Sequence, residues 1–186
     1  MLKQNNPHSI DSVFYYGKII CPDIANGTGC RLSLFVSGCR NLCKGCFNRE
    51  TWNFSYGTRF TEDTMQEILE KLIPDYISGI TILGGEPLDY INQPHVLKVL
   101  KRVRNNLPEK DIWIYTGFTW EDLTDEKRYG KSEEIRSILK MTDVLVDGPF
   151  ILEEKDISLP FRGSRNQRII DVQESLKRNE ITLLKL

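Results

Sequence analysis

Three cysteines, Cys39, Cys43 and Cys46, fall within eight residues, separated by three residues and then by two. They directly follow Leu32-Ser33-Leu34-Phe35-Val36-Ser37-Gly38, a short apolar run that reads as a strand. A plain packed core has no use for three thiols so close together. Thiolates are soft ligands that select zinc, copper(I) or iron–sulfur clusters. The spacing therefore predicts a metal or iron–sulfur site at the mouth of a strand.

The rest of the composition narrows the setting. The chain has 186 residues, the size of one domain with a real core, and a single domain over 1–186 is expected. Its formal net charge of −1 makes no electrostatic case for nucleic acid or an anionic membrane as partner. Met1 to His8 contain no apolar h-region, so no signal peptide is read there. No apolar run approaches the roughly 20 residues of a spanning helix. Five cysteines without a secretory signal favour metal or redox chemistry over a disulfide framework. The expected location is cytoplasmic.

Hydrophobic periodicity gives strands alternating with helices. Phe14, Tyr15, Tyr16, Ile19 and Ile20 suit an early strand or hairpin, and Asn26-Gly27-Thr28-Gly29 a turn. Residues 31–37 form the next strand, and 47–60 an irregular connection. A helix follows, with Thr64 and Glu67 in a capping-box pattern and an apolar stripe from Met65 to Tyr76. Gly79 to Leu83 is a buried strand ending in Gly84-Gly85-Glu86-Pro87. A second helix begins near Pro94 and closes at Pro108. Ile112 to Tyr115 is a strand ending at Thr116-Gly117. A third helix carries Ile135, Ile138 and Leu139, and Val144 to Val146 is a strand ending at Asp147-Gly148-Pro149. Ile169-Ile170 and Ile181 to Leu184 read as late strands.

This alternation implies βαβ units and a parallel sheet. The expected architecture is α/β, an open partial (β/α) barrel of about five to six mostly parallel strands. Ligands bind such sheets at the carboxyl ends of the strands. The cysteines, Gly84-Gly85-Glu86-Pro87, Thr116-Gly117 and Asp147-Gly148 each follow a strand. They are therefore predicted to share one rim.

Structural zinc normally closes with four ligands, often as two C-x₂-C pairs, and this chain has no second pair. His8 and His95 are the only histidines, and neither is near in sequence. A four-iron cluster usually takes four cysteines, so three local ligands would leave one iron open for catalysis. Cys21 and Cys30 are read as small buried hydrophobes, although either is chemically able to be a fourth ligand.

The C-x₃-C-x₂-C motif after a first strand resembles the radical S-adenosyl-L-methionine (SAM) enzymes. More specifically, the chain is similar to the family that activates anaerobic ribonucleoside-triphosphate reductases. The blocks that carry this resemblance run in order through most of the chain. They include Asp23-Ile24-x-Asn26-Gly27, Gly45-Cys46-x-Asn48 with Thr51-Trp52, Gly84-Gly85-Glu86-Pro87-Leu88, Lys110-Asp111-Ile112-Trp113, Val144-Leu145-Val146-Asp147-Gly148 and Arg162-Gly163-Ser164-x-Asn166-Gln167. Many members of the wider superfamily have an aromatic before the third cysteine. Here that position is Gly45, with Phe47 just after, as in the reductase-activating members.

The resemblance implies that Cys39, Cys43 and Cys46 hold a [4Fe-4S] cluster whose open iron is chelated by SAM. It implies a cofactor-binding set of Gly45, Cys46, Phe47, Gly84, Gly85, Glu86, Thr116 and Asp147. Glu86 would accept from the SAM ammonium. Thr116 and Asp147 would touch the ribose or the partner, unless they only cap helices or turns. Arg162, Arg165 and Arg168 would meet cosubstrate or partner, and Trp52 would serve packing. The implied activity is reductive cleavage of SAM to a 5′-deoxyadenosyl radical, which makes a glycyl radical on the large subunit of the reductase. An external one-electron donor, flavodoxin-like, would feed the cluster. The sequence leaves open the activation of another glycyl-radical enzyme, a small-molecule radical SAM reaction, and a non-catalytic zinc module.

Overall fold

The computed structural model describes residues 13–130 and 132–186; the reading of Met1 to His8 lies outside them. Among the described residues seven strands form one open sheet. They are β1 (Tyr15–Asp23), β2 (Cys30–Val36), β3 (Thr58–Arg59), β4 (Ile77–Gly84), β5 (Asp111–Tyr115), β6 (Val144–Asp147) and β7 (Arg168–Asp171), in the order β3-β1-β2-β4-β5-β6-β7. β2, β4, β5 and β6 run parallel to one another. β1 pairs antiparallel with β2 and β3, and β7 antiparallel with β6. The sheet is thus larger and more mixed than the expected five to six mostly parallel strands. A short turn between β1 and β2 and the long loop between β6 and β7 reverse the chain near the two edges, and only helical crossovers keep strands parallel.

The described residues form five α-helices: α1 (Glu62–Leu72), α2 (Gln93–Asn106), α3 (Trp120–Thr124), α4 (Glu133–Met141) and α5 (Val172–Arg178). The cap of α1 differs from the expected Thr64 and Glu67 pair. Thr61 is the N-cap, and Thr64 returns the reciprocal bond. Ile73 and Tyr76, assigned to the apolar stripe, are exposed because the helix has already ended. α3 and α5 are each under two turns, too short to show a period. Ile181 to Leu184 forms no strand, only the single bridge between Ile170 and Leu183. The connection at 47–60 contains a 3-10 turn, Arg49–Trp52, as well as β3.

Strand alternation divides the sheet's two faces. Leu32, Leu34, Ile80, Ile82, Ile112, Ile114 and Leu145 point to one face and join the apolar residues of α1, α2 and α4 in the main core. Each such buried side chain contributes about 1.5–3 kcal/mol. The intervening residues point the other way. Trp113, Val144, Val146 and Ile169 form a second apolar cluster there, with Tyr115 and Phe161. Among the described residues no α-helix packs into this second cluster. The loop between β6 and β7 folds across it.

Candidate functional site

A cavity of about 570 Å³ lies between the second face and that loop. The four strand-end segments meet at its rim, as their spacing predicts. Cys39, Cys43 and Cys46 line it, together with Phe47, Gly84, Gly85, Thr116, Gly117 and Gly148.

The cysteine loop is fixed from behind by backbone bonds. Gly38 N donates to Thr51 O at 2.7 Å, and Cys39 N donates to Trp52 O at 3.1 Å. The 3-10 turn thus holds the loop's start, and Trp52 also reaches the cavity wall. Gly45 has φ +76 and sits against Leu152; a Cβ there would lie 2.9 Å from Leu152 Cδ1. Arg40 clamps the loop to the segment after β4. Its guanidinium donates to both oxygens of Asp89 at 2.5 Å, and it lies between the rings of Phe54 and Tyr90 at 4.5 and 4.6 Å.

Gly85 N donates to Val36 O and Glu86 N to Gly38 O, each at 2.8 Å, so the segment after β4 continues the sheet beside the cysteine loop. A Cβ at Gly85 would stand 2.6 Å from Gly38 O, so only glycine fits. Glu86 is 1% exposed. Its Oε1 accepts from Thr116 Oγ1 at 2.7 Å and Leu88 N at 2.9 Å; its Oε2 accepts from Asn41 Nδ2 at 2.7 Å and Gly117 N at 2.8 Å. Burial pushes this carboxyl above the usual range, while the four donors pull it back. A carboxylate has about four acceptor sites, so all of them are taken. Glu86 stands behind the wall and ties the cysteine loop to the ends of β4 and β5.

Asp147 is fully buried, and it too is not on the wall. It accepts from Trp120 N at 2.7 Å and pairs with Arg168, which also binds Glu121. It anchors the N-terminus of α3 to β7. Of the expected set, Cys39, Cys43, Cys46, Phe47, Gly84, Gly85 and Thr116 reach the cavity, whereas Gly45, Glu86 and Asp147 support it from outside. Arg165 pairs with Asp156, and of Arg162, Arg165 and Arg168 only Arg162 is on the wall.

Two amides escaped the sequence reading. Asn41 belongs to the cysteine loop and bonds Glu86. Asn92 is 1% exposed, and its Nδ2 donates to Ser37 O, Gly38 O and Glu86 O. The only signal for Asn41 was its place inside the motif. Asn92 had none beyond preceding the proline of α2.

Cys30 starts β2 and pairs with Ile77, at the end of the sheet away from the cysteine loop. The strand's length separates them by roughly 20 Å. Cys21 donates to Lys71 O from beside the main core. Neither lines the cavity. Burial pushes the Cys39 thiol up to about 11 and the Cys43 thiol upward. The three thiols are spread over the wall of one cavity, and among the described residues no three His, Cys, Asp or Glu side chains converge to hold one ion.

Residues 25–170 match the family model of a 4Fe-4S single cluster domain. The anaerobic ribonucleoside-triphosphate reductase-activating protein of Vibrio cholerae is 42% identical over 79% of this chain and 91% of its own length. The protein of that name from Enterobacteria phage T4 is 39% identical over 83% and 92%, and that from Escherichia coli K12 40% over 78% and 90%. This chain belongs to the family of anaerobic ribonucleoside-triphosphate reductase-activating proteins.

Membership in this activating family accounts for the donor set. Three thiols on a concave, partly apolar wall suit an iron–sulfur cluster, which takes cysteine thiolates. Asn48 N donates to Cys46 Sγ at 3.4 Å, and hydrogen bonds to sulfur are one lever on a cluster's potential. The cofactors are a [4Fe-4S] cluster and SAM. No helix among the described residues is long and apolar enough to cross a membrane.

Proposed function

We propose that this protein is a radical SAM activase that places a glycyl radical on the large subunit of an anaerobic ribonucleoside-triphosphate reductase. The observation that carries the reading is the meeting of Cys39, Cys43 and Cys46 with Gly84, Gly85 and Thr116 around one cavity. When bound, the cluster supplies the electron that cleaves SAM to a 5′-deoxyadenosyl radical, which takes hydrogen from a glycine Cα.

The chain's own residues bind, orient and exclude water. Cys39, Cys43 and Cys46 hold the cluster, and no other cysteine reaches the cavity to close a fourth position. Gly84 and Gly85 let a ligand approach the backbone, since neither carries a side chain. Glu86 and Asn92 keep the cysteine loop in register with that backbone, and Thr116 continues the wall. Phe47 covers the cavity's edge, packed on Phe150 with ring centroids 5.2 Å apart. Gly45, Glu86 and Asp147 act as positioning residues.

The sheet, with helices on one face and a cavity on the other, supports an open partial (β/α) barrel as its family architecture. The unclosed edge leaves room for a protein substrate. An external one-electron donor of flavodoxin type fits the redox demand, and five free cysteines fit a reducing, cytoplasmic setting. The test is anaerobic reconstitution with iron and sulfide, followed by reduction in the presence of SAM. Formation of methionine and 5′-deoxyadenosine is expected. One zinc per chain, without iron, sulfide or SAM cleavage, would refute the reading.

A further inference from the structure

Arg162 stands apart from every other cation around the cavity. Lys18, also on the wall, lies over the Phe35 ring at 4.5 Å. Arg165, on the same loop, and Arg168, the first residue of β7, are paired with carboxylates. Arg162 is half-buried, and its guanidinium makes one hydrogen bond, to Gln167 O at 3.0 Å. Its Nε is buried without a partner. It forms no ion pair among the described residues, and the only carboxylate on the wall, Asp156, is taken by Arg165. A guanidinium offers five donors. Leaving most of them without protein acceptors in a half-buried site is costly unless a ligand oxygen arrives.

The backbone is built to keep it there. Phe161, immediately before, has φ +52, a left-handed conformation rare for a bulky side chain. Two contacts hold it. Its ring packs edge-on against Trp113 at 5.8 Å, and its carbonyl accepts from Tyr115 Oη at 2.7 Å. Such strain persists where surrounding structure over-determines it, and it clusters at ligand clamps. Here Trp113 and Tyr115 of β5 fix the residue that delivers Arg162 to the wall.

We propose that Arg162 donates to a main-chain carbonyl of an extended segment of the partner protein, the segment that carries the glycine. The assignment rests on the proposed function. The loop that carries Arg162 also carries Ile157, which is 90% exposed, and Phe47, packed on Phe150 of that loop, is 61% exposed; both line the cavity. Exposed apolar side chains around an entrance suit a polypeptide better than they suit a charged cosubstrate. A segment that leaves water needs donors for its carbonyls, and a guanidinium fork with spare N–H groups supplies them.

The test compares Arg162→Met, Arg162→Lys and the control Arg165→Met as cluster-reconstituted proteins. The readouts are the SAM-induced change in the EPR spectrum, methionine formation without reductase, and glycyl radical formation at varied reductase concentration. Arg162→Met is expected to raise the KM for reductase roughly 10- to 100-fold, the range for losing a charged hydrogen bond. The kcat and both SAM readouts should match wild type. Arg162→Lys should fall between, and Arg165→Met should match wild type. If Arg162→Met does not assemble its cluster, Arg162→Lys decides. An unchanged KM overturns the proposal, as does loss of the SAM-induced EPR change, which would assign Arg162 to the cosubstrate. Wild-type protein that cleaves no SAM would refute the proposed function itself and take this assignment with it.

Discussion

Replacing Glu86 with glutamine separates two roles for a carboxylate that sequence alone merges. Each of its oxygens accepts from two donors. A glutamine must place its amide nitrogen at one of these positions. At Oε1 it would face Leu88 N and Thr116 Oγ1; the hydroxyl can turn to accept, but Leu88 N–H cannot. At Oε2 it would face Asn41 Nδ2 and Gly117 N. Asn41 can flip, but Gly117 N–H stays orphaned. Either way one buried backbone donor loses its partner, at about 1–3 kcal/mol, and the remaining bonds lose their charge assistance. The total is about 2–4 kcal/mol. For a chain of this size that lowers the melting temperature by roughly 5–15 °C. The assay is thermal unfolding of Glu86→Gln and wild type at matched iron content, without SAM. A melt within about 2 °C of wild type, combined with lost SAM binding, would refute the reasoning. It would mean that Glu86 serves the SAM ammonium and not the internal clip.

Cys39→Ala, Cys43→Ala and Cys46→Ala should each abolish cluster assembly and SAM cleavage, as iron analysis and methionine formation would record. Cys21→Ala and Cys30→Ala should retain both, because those thiols lie off the cavity. Gly85→Ala puts a methyl 2.6 Å from Gly38 O, so the rim must shift and SAM cleavage should fall at least tenfold, a barrier of about 1.4 kcal/mol. The Arg168 guanidinium beside Glu121 holds its carboxyl well down, at about 2 against an ordinary 4.5. A depressed carboxyl pKa stabilises the fold above the ordinary value and loses that contribution as pH falls through the depressed one. The melting temperature should therefore drop between pH 4.5 and 2, and Glu121→Gln should flatten part of that drop. An identical pH profile in the two proteins would contradict the pairing.

Much of the site was legible because strand ends carry their own punctuation. Three thiols, two glycines with Glu86 and Pro87, and Thr116-Gly117 each closed an apolar run, and a parallel sheet gathers such ends on one rim. The edges were less legible. β7 is four residues long, and nothing in Arg168-Ile169-Ile170-Asp171 tells a parallel strand from an antiparallel one. Helices of five and seven residues, α3 and α5, offer fewer than two turns of periodicity. Asp147 illustrates a different limit. Its position at the end of β6 matches that of the cavity residues, yet Arg168 and Trp120 N draw its carboxylate to the other side. A one-dimensional pattern places a residue on a rim but does not say which way its side chain turns. Glu86 is the same case, read as a ligand for an ammonium and found with its oxygens filled by the protein.

The central claim is that the cavity generates a radical whose destination is a protein glycine. The most direct test is the EPR spectrum of the reductase large subunit after anaerobic incubation with the reduced, cluster-loaded protein and SAM. A glycyl-radical doublet is expected, absent when Cys43→Ala replaces the wild type. Methionine and 5′-deoxyadenosine formed without any doublet on the reductase would contradict the account.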